Sequence, residues 1–346
     1  MTPENAATRH DDRVVDTAEP RDAEIRVAPY DQSARDTWNA FVQASKNGVF
    51  LFERPYMDYH ADRFRDCSLL VFERSRLIAI FPASRQDDGT VVTHGGLTFG
   101  GVITDARMRA GTMLRVFEAI LLHLRENGVR RIVYKAVPHI YHRLPAEEDL
   151  YALFRCGARL VQRAIAATVE PGNAPRYTKG RKWSLGKARA AGVTFSRSDD
   201  YETFMNIEER NLAERHQVRP VHTAAELHML AQRFPDAIRL YVSRHEGAIE
   251  AGVVIYVSPR VAHAQYIAST PRGREVCAID PLIDWLIRDE FRDVRYFDFG
   301  ISTENRGWHL NEPLAQNKES YGGRGIAYDH YELDVEPALV LLAGTA

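Results

Sequence analysis

One carboxylate stands out by its company. Asp298 sits in Phe297-Asp298-Phe299-Gly300, inside an apolar run that reads as a strand over 296–301. A carboxylate buried among aromatic side chains is costly unless it is paired. Asp298 can therefore accept a proton or orient a reacting group, or it can bond the loop beside it. Ser302, Glu304 and Asn305 follow at the carboxyl end of that strand. Ligands of α/β sheets gather at such ends, although a turn rich in capping groups has the same composition. His94 opens His94-Gly95-Gly96-Leu97-Thr98-Phe99-Gly100-Gly101, a segment whose backbone can approach a ligand closely. A single histidine is more often structural. Lys135 ends a strand read over 131–136. His139 and His142 lack further ligands at metal-binding spacing, so no metal site is expected.

The stretch 171–197 holds seven positive residues, among them Arg181 and Lys182, and no acid. It reads as a solvated helix between two domains or as a patch for phosphate groups. Trp183 lies among the charges and could stack on a base. Elsewhere the charge is balanced, with a net value of −2 over 346 residues, which argues against wholesale nucleic-acid binding and against a DNA partner. The three cysteines, Cys67, Cys156 and Cys277, have no paired spacing, so neither a disulfide framework nor a zinc site is expected and a reducing cytoplasm fits. No GxSxG elbow, P-loop, GxGxxG or HExxH occurs, which leaves hydrolase, NTPase and dehydrogenase readings without support. No run of about 18 apolar residues is present, so no membrane span is expected.

The elements that must position these residues repeat. Helices read over 31–45 and 55–64 precede a hairpin, 68–73 and 77–83, and a strand over 91–93. Leu114, Phe117, Leu121 and Leu124 then mark a long helix that Asn127-Gly128 ends. A strand at 131–136, a helix at 147–155 and a strand at 160–169 complete the first set. The second set is 201–216, 224–234, 238–243 with 249–257, 261–268, a helix capped by Asp280 before Pro281, 296–301, 310–321 and 328–335. The expected fold is α/β, in layers, with a duplicated unit of about 150 residues. The expected divisions are a disordered leader over 1–24, a first domain over 25–170, a basic linker over 171–197, a second and catalytic domain over 198–335, and a tail over 336–346.

Lys179-Gly180-Arg181-Lys182-Trp183-Ser184-Leu185-Gly186 and its continuation to Val193 resemble the basic segment that opens the second domain of Fem-type peptidoglycan aminoacyltransferases. Asn317-Lys318-Glu319-Ser320-Tyr321-Gly322-Gly323 resembles their Phe-Lys-x-x-Phe-Gly ending, with Asn317 in place of the leading aromatic. Asn47-Gly48-Val49-Phe50-Leu51 also resembles theirs, and the order of elements is that of two GNAT acyltransferase domains in tandem. The chain is similar as well to GNAT-like proteins found with bacterial envelope polysaccharide genes.

The resemblance implies acyl transfer to an amine. The strands 261–268 and 296–301 would splay apart around the acyl donor, and the amine would attack its carbonyl directly. Such chemistry needs positioning, a proton acceptor and donors to the oxyanion. Lys318 occupies the family's functional lysine position and would stabilise the oxyanion or a donor phosphate. Tyr321 would protonate a leaving thiolate or pack as a core aromatic. Arg272, Gly273 and Arg274 occupy the slot where GNAT enzymes bind the pyrophosphate of coenzyme A at a helix N-terminus, but Glu275 stands where a small residue belongs.

Three functions follow from the resemblance. The first is an N-acyltransferase acting from acyl-CoA, by default, on an amino sugar or peptide of an envelope precursor linked to a nucleotide or lipid. The second is an aminoacyl-tRNA-dependent transferase using the same site. The third is a non-catalytic binding protein in polysaccharide assembly.

Overall fold

The computed structural model describes residues 24–173, 177–216 and 220–344. The expected leader therefore lies outside the described residues up to position 23. In chain order the first half carries β1 (Ile25–Pro29), α1 (Arg35–Ala44), α2 (Arg54–Met57), β2 (Arg65–Asp66), β3 (Leu69–Glu73), β4 (Arg76–Phe81), β5 (Ser84–Arg85), β6 (Val91–Val92), β7 (Ile103–Thr104), α3 (Ala110–Glu126), β8 (Arg131–Lys135), α4 (Glu148–Arg155) and β9 (Arg159–Val169). Then come α5 (Lys179–Ala190), β10 (Thr194–Ser198), α6 (Tyr201–His216), α7 (Ala224–Arg233), β11 (Ile238–His245), β12 (Ala248–Val257), β13 (Val261–Ser269), α8 (Pro271–Glu275) and α9 (Ile279–Trp285). The chain closes with β14 (Tyr296–Ile301), β15 (Thr303–Glu304), β16 (His309–Leu310), α10 (Glu312–Glu319), β17 (Arg324–Asp334) and α11 (Val335–Ala343).

Local chemistry explains most of these. In α3 the buried Met113, Val116, Phe117, Ile120, Leu121 and Leu124 fall on one helical stripe, and Gly128, at φ +72°, lets the chain leave it. The β11–β12 hairpin turns through Glu246 and Gly247, both at positive φ, which matches a tight primed turn. Trp38 of α1 is fully buried, with its Nε1–H on the Phe52 carbonyl at 2.7 Å. Its removal would cost about 3–5 kcal/mol.

The two halves are joined at the sheet. Eleven strands run β10-β11-β12-β13-β14-β9-β17-β8-β6-β5-β2. β9, from the first half, lies between β14 and β17; β17, from the end of the chain, lies between β9 and β8. Each half thus lends its last strand to the other. One apolar cluster follows the same path, joining Phe52, Tyr56 and Tyr141 to Phe204, Leu227 and Tyr256.

Several expected elements differ. The helix read over 55–64 is the short α2 followed by a 3-10 turn. The helix read from Asp280 and Pro281 is α9, continued by a π-helical turn over Leu286–Glu290, and the segment before it forms a separate short helix, α8, set off at Cys277, φ +57°. Asp280 does not cap α9, because its carboxylate turns instead to Arg181 and Tyr321. The stretch read as a tail is mostly α11, whose Val335, Ala338, Leu339 and Leu342 are buried in the same cluster as α3.

Candidate functional site

β13 and β14 are parallel and pair at three positions only: Val261 with Tyr296, Ala262 with Phe297, and His263 with Asp298. Beyond that register they part. At β14's far side the pairing with β9 slips between Asp298 and Ile301, and Gly300 takes φ +71°. The last paired position before the gap therefore holds a histidine and an aspartate side by side.

Asp298 has no exposed surface. His263 Nδ1 lies 2.8 Å from its Oδ2. Tyr328 donates to the same oxygen at 2.7 Å, and Tyr141 reaches it at 3.4 Å. Thr168 Oγ1 and the Gly300 amide donate to Oδ1 at 2.9 and 3.0 Å. Burial by itself would raise the carboxyl's pKa; the bond and charge of His263, then Tyr328 and the Gly300 amide, outweigh it and hold Asp298 below its usual value. Burial, then the Asp298 charge, pushes both tyrosine hydroxyls well up, so they stay protonated donors.

With Nδ1–H directed at a carboxylate, His263 keeps Nε2 as a free acceptor. The ring is only partly covered, with 17% of the side chain exposed. It borders a small chamber that the first half helps to build, through Val49, Phe50 and Phe99, opposite Tyr256 and Gln265. Gly300 leaves room for the ring: a Cβ there would lie 3.2 Å from His263 Cε1. A base held by a buried carboxylate, at the mouth of a strand gap, can take the proton of an attacking nucleophile.

Lys318 is buried. Its Nζ donates to the Gly300 and Ile301 carbonyls at 3.0 and 2.5 Å, so it fixes the chain just past Asp298. Burial lowers its pKa to about 8, against the opposing charge of Asp298. Ser302 is buried, and its Oγ has no partner among the described residues. Glu304 and Asn305 are exposed on the turn of the β15–β16 hairpin, where Glu304 accepts from Asn311.

Other expected site residues lie elsewhere. Tyr321 packs on Phe299, which points from the opposite face of β14 to Asp298, and its hydroxyl contacts Arg181 and Asp280. It is a core aromatic and is not brought to His263. Arg181 is turned inward onto Asp280, Tyr321, Asn317 and Ser320, which leaves it no free donor face for a substrate. Lys182 is exposed on α5. Lys135 donates to the His94 and Leu97 carbonyls, and this closes the glycine-rich segment on itself.

The slot expected for coenzyme A does not fit that group. α8 has five residues, and its first is Pro271, without an N–H. The Gly273 and Arg274 amides are already bonded to Thr270, whose hydroxyl meets the Glu250 carboxylate. A Cβ at Gly273 would strike the Glu250 carbonyl at 2.1 Å. Gly273 is thus required for packing. Arg272 pairs with Glu275, and Arg274 with Ser269 and Asn211. An acid stands where a pyrophosphate would need donors.

His263 was not among the residues singled out from sequence. The available signal was a polar side chain, two positions before Gln265, in a largely apolar strand. Its importance comes from the parallel register with Asp298, which no local pattern encodes. Tyr141, Thr168 and Tyr328 were missed for the same reason. Among the described residues, no three His, Cys, Asp or Glu side chains group as metal ligands.

Residues 176–307 match the acetyltransferase (GNAT) domain family. His263 and Asp298 both fall inside that match. Among solved structures the chain is similar to FemX, with a TM-score of 0.64 and 9% identity over 91% of this chain and 99% of that one. L-PGS from Bacillus licheniformis gives 0.57 and 14%, over 90% and 96%. A tandem GNAT protein from the clavulanic acid biosynthesis pathway gives 0.50 and 12%, over 90% and 99%. No curated protein sequence matches the chain. Fold and domain match together define the class: this is an acyltransferase with a Fem-type, tandem GNAT fold. No helix among the described residues is long and apolar enough to cross a membrane.

Proposed function

We propose that the protein is an N-acyltransferase whose working centre is the gap between β13 and β14. The observation that carries this reading is the His263–Asp298 pair at the point where the strands part. The donor carbonyl enters the gap. His263 Nε2 takes a proton from the acceptor amine as its nitrogen attacks that carbonyl. Asp298 holds the ring's orientation and stabilises the imidazolium. The tetrahedral intermediate then collapses, the donor's ester or thioester bond breaks, and the proton returns to the leaving group. Lys318 keeps the strand end in place through two carbonyls. The acceptor proposed is an amino sugar or peptide of an envelope precursor.

A second reading keeps the site and changes the donor. The closed first turn of α8 favours a donor that does not need pyrophosphate held there, such as an aminoacyl ester of tRNA.

Mass-spectrometric detection of N-acylated product tests the proposal. Amino sugars and muropeptides would be offered with acyl-CoA, with acyl-N-acetylcysteamine thioesters that lack phosphate, and with charged tRNA. Product with the wild type and none with D298N of native melting temperature supports it. Equal product from D298N would overturn it.

A further inference from the structure

α6 carries a buried acid that the transfer chemistry does not use. Phe204, Glu208 and Asn211 lie at helical spacing and form one stripe on the sheet. Phe204 packs on β12, where a Cβ at Gly252 would strike its ring at 2.6 Å. Asn211 Nδ2 donates to the Ser269 carbonyl, at the end of β13, at 3.1 Å. Glu208 sits between them and is 9% exposed. Among the described residues its carboxylate has no hydrogen bond and no ion pair, and burial alone raises its pKa to about 7. A buried carboxylate without a partner is a cost to the fold.

The strand beneath it leads to His263. β13 pairs with β12 through Ala264 on Ile255 and Tyr266 on Val254, which leaves Gln265 as a bulge. In a regular strand His263 and Tyr266 would point to opposite faces. The bulge brings Tyr266 round to the face that carries His263 and α6, in one cluster with Phe204 and Tyr256. His263 and Gln265 border the same chamber. Next to them, the Tyr266 hydroxyl lies 2.6 Å from His222 Nδ1 and interacts with the Gln265 side chain and with the charge of Glu208. Gln265, Tyr266 and Glu208 thus form a polar line across an apolar cluster, and the line starts beside the proposed base. Three residues of strand, from His263 to Tyr266, span about 10 Å.

We infer that Glu208, with Tyr266 and Gln265, holds a second ammonium group of the acceptor while the first amine meets His263, and so selects acceptors that carry two amines. An ammonium supplies both the donors and the charge that this carboxylate lacks. A hydroxyl would supply one donor and leave the charge buried without a counter-ion. Glu208 acts on specificity and positioning, not on the reacting atoms. The inference rests on the transfer reading for the place of the first amine. It favours a peptide with a second free amine over a sugar with one.

Calorimetric titration of the full chain tests it, with 1,6-diaminohexane and with hexylamine, which has the same chain and one charge fewer. The pH is set at about 8, where the carboxyl is mostly ionised. The wild type should bind the diamine at least about tenfold more tightly than the monoamine. E208Q should bind the two alike, and its melting temperature should equal or exceed the wild-type value, because it no longer buries a charge. In acyl transfer E208Q should raise KM for the diamine, keep its kcat and leave hexylamine unchanged. Equal affinity of the wild type for the two amines would overturn the inference. So would a diamine preference that survives in E208Q, or a lowered melting temperature of E208Q, which would make the carboxylate a structural group. A preference that E208Q removes, in a protein that yields no acylated product, would uphold the subsite and count against the transfer reading alone.

Discussion

The molecule contains two strand partings built from one scheme, and they have opposite fates. In the first half, β6 and β8 pair in parallel at Val91–Ile132 and Val92–Val133. The chain then turns at His94, φ +57°, and folds back into its own gap. Lys135's amide goes to Thr93 Oγ1, its carbonyl receives the Gly100 amide, and its Nζ holds the His94 and Leu97 carbonyls. In the second half, no strand pairing joins β13 to β14 past His263, and a base and a carboxylate occupy the fork. Lys318 sits like Lys135, bonded to two carbonyls, but it holds the strand end and leaves the gap open. A parting can thus be closed by its own backbone and turned into scaffold. The closed half then contributes Phe99 and Tyr141 to the chamber and dyad of the open one.

The largest effect expected from breaking this contrast is at His263. H263Q keeps a donor for Asp298 and removes the base. Its kcat should fall by roughly 10²–10⁴-fold, with little change in thermal melting. Retention of kcat would remove the base from the mechanism.

Two glycines sharpen the comparison. A Cβ at Gly101, φ +97°, would meet the Tyr134 hydroxyl at 2.5 Å. G101A should cost about 1–3 kcal/mol of stability, while the folded enzyme turns over normally. G300A adds a methyl against His263 in a backbone region that costs about 1–2 kcal/mol. It should lose more in kcat than G101A does. Steady-state kinetics beside urea unfolding separate the two outcomes.

Y328F removes one hydroxyl from Asp298. About 1.5–3 kcal/mol for a hydrogen bond to a charged group predicts roughly a tenfold loss of kcat. The pH at which the Asp298 carboxyl protonates, followed by its side-chain NMR shift, should move up, because the carboxylate loses a donor that keeps its pKa low. A tyrosine that only packed against the pair would not move that titration.

The smallest effect distinguishes the two lysines' shared role from catalysis. Burial lowers both Lys135 and Lys318 to about 8 in the folded state, below the unfolded value of about 10.4. The unfolded chain therefore binds more protons between these values, and stability should rise with pH from about 8 to 10. K318M should flatten part of that rise in melting temperature, whether or not it alters transfer.

Much of the fold is legible because periodicity is local. The stripe of α3 and the turn at Glu246-Gly247 need no tertiary information. The exchange of β9 and β17 is invisible to such reasoning, since it pairs Thr168 with Asp298 and Tyr331 with Tyr134 across more than a hundred residues. Asp298 was legible as a costly buried charge, but its partner was not. Gly273 in α8 is likewise required by the close approach of Glu250, which a helix-start pattern cannot show.

The most direct measurement compares transfer by H263A and H94A under identical conditions, with circular dichroism confirming that both are folded. If the second parting is the working centre, H263A loses at least about a hundredfold in kcat/KM and H94A stays near wild type. Loss of transfer in H94A with full activity in H263A would place the reaction in the first half and contradict the assignment.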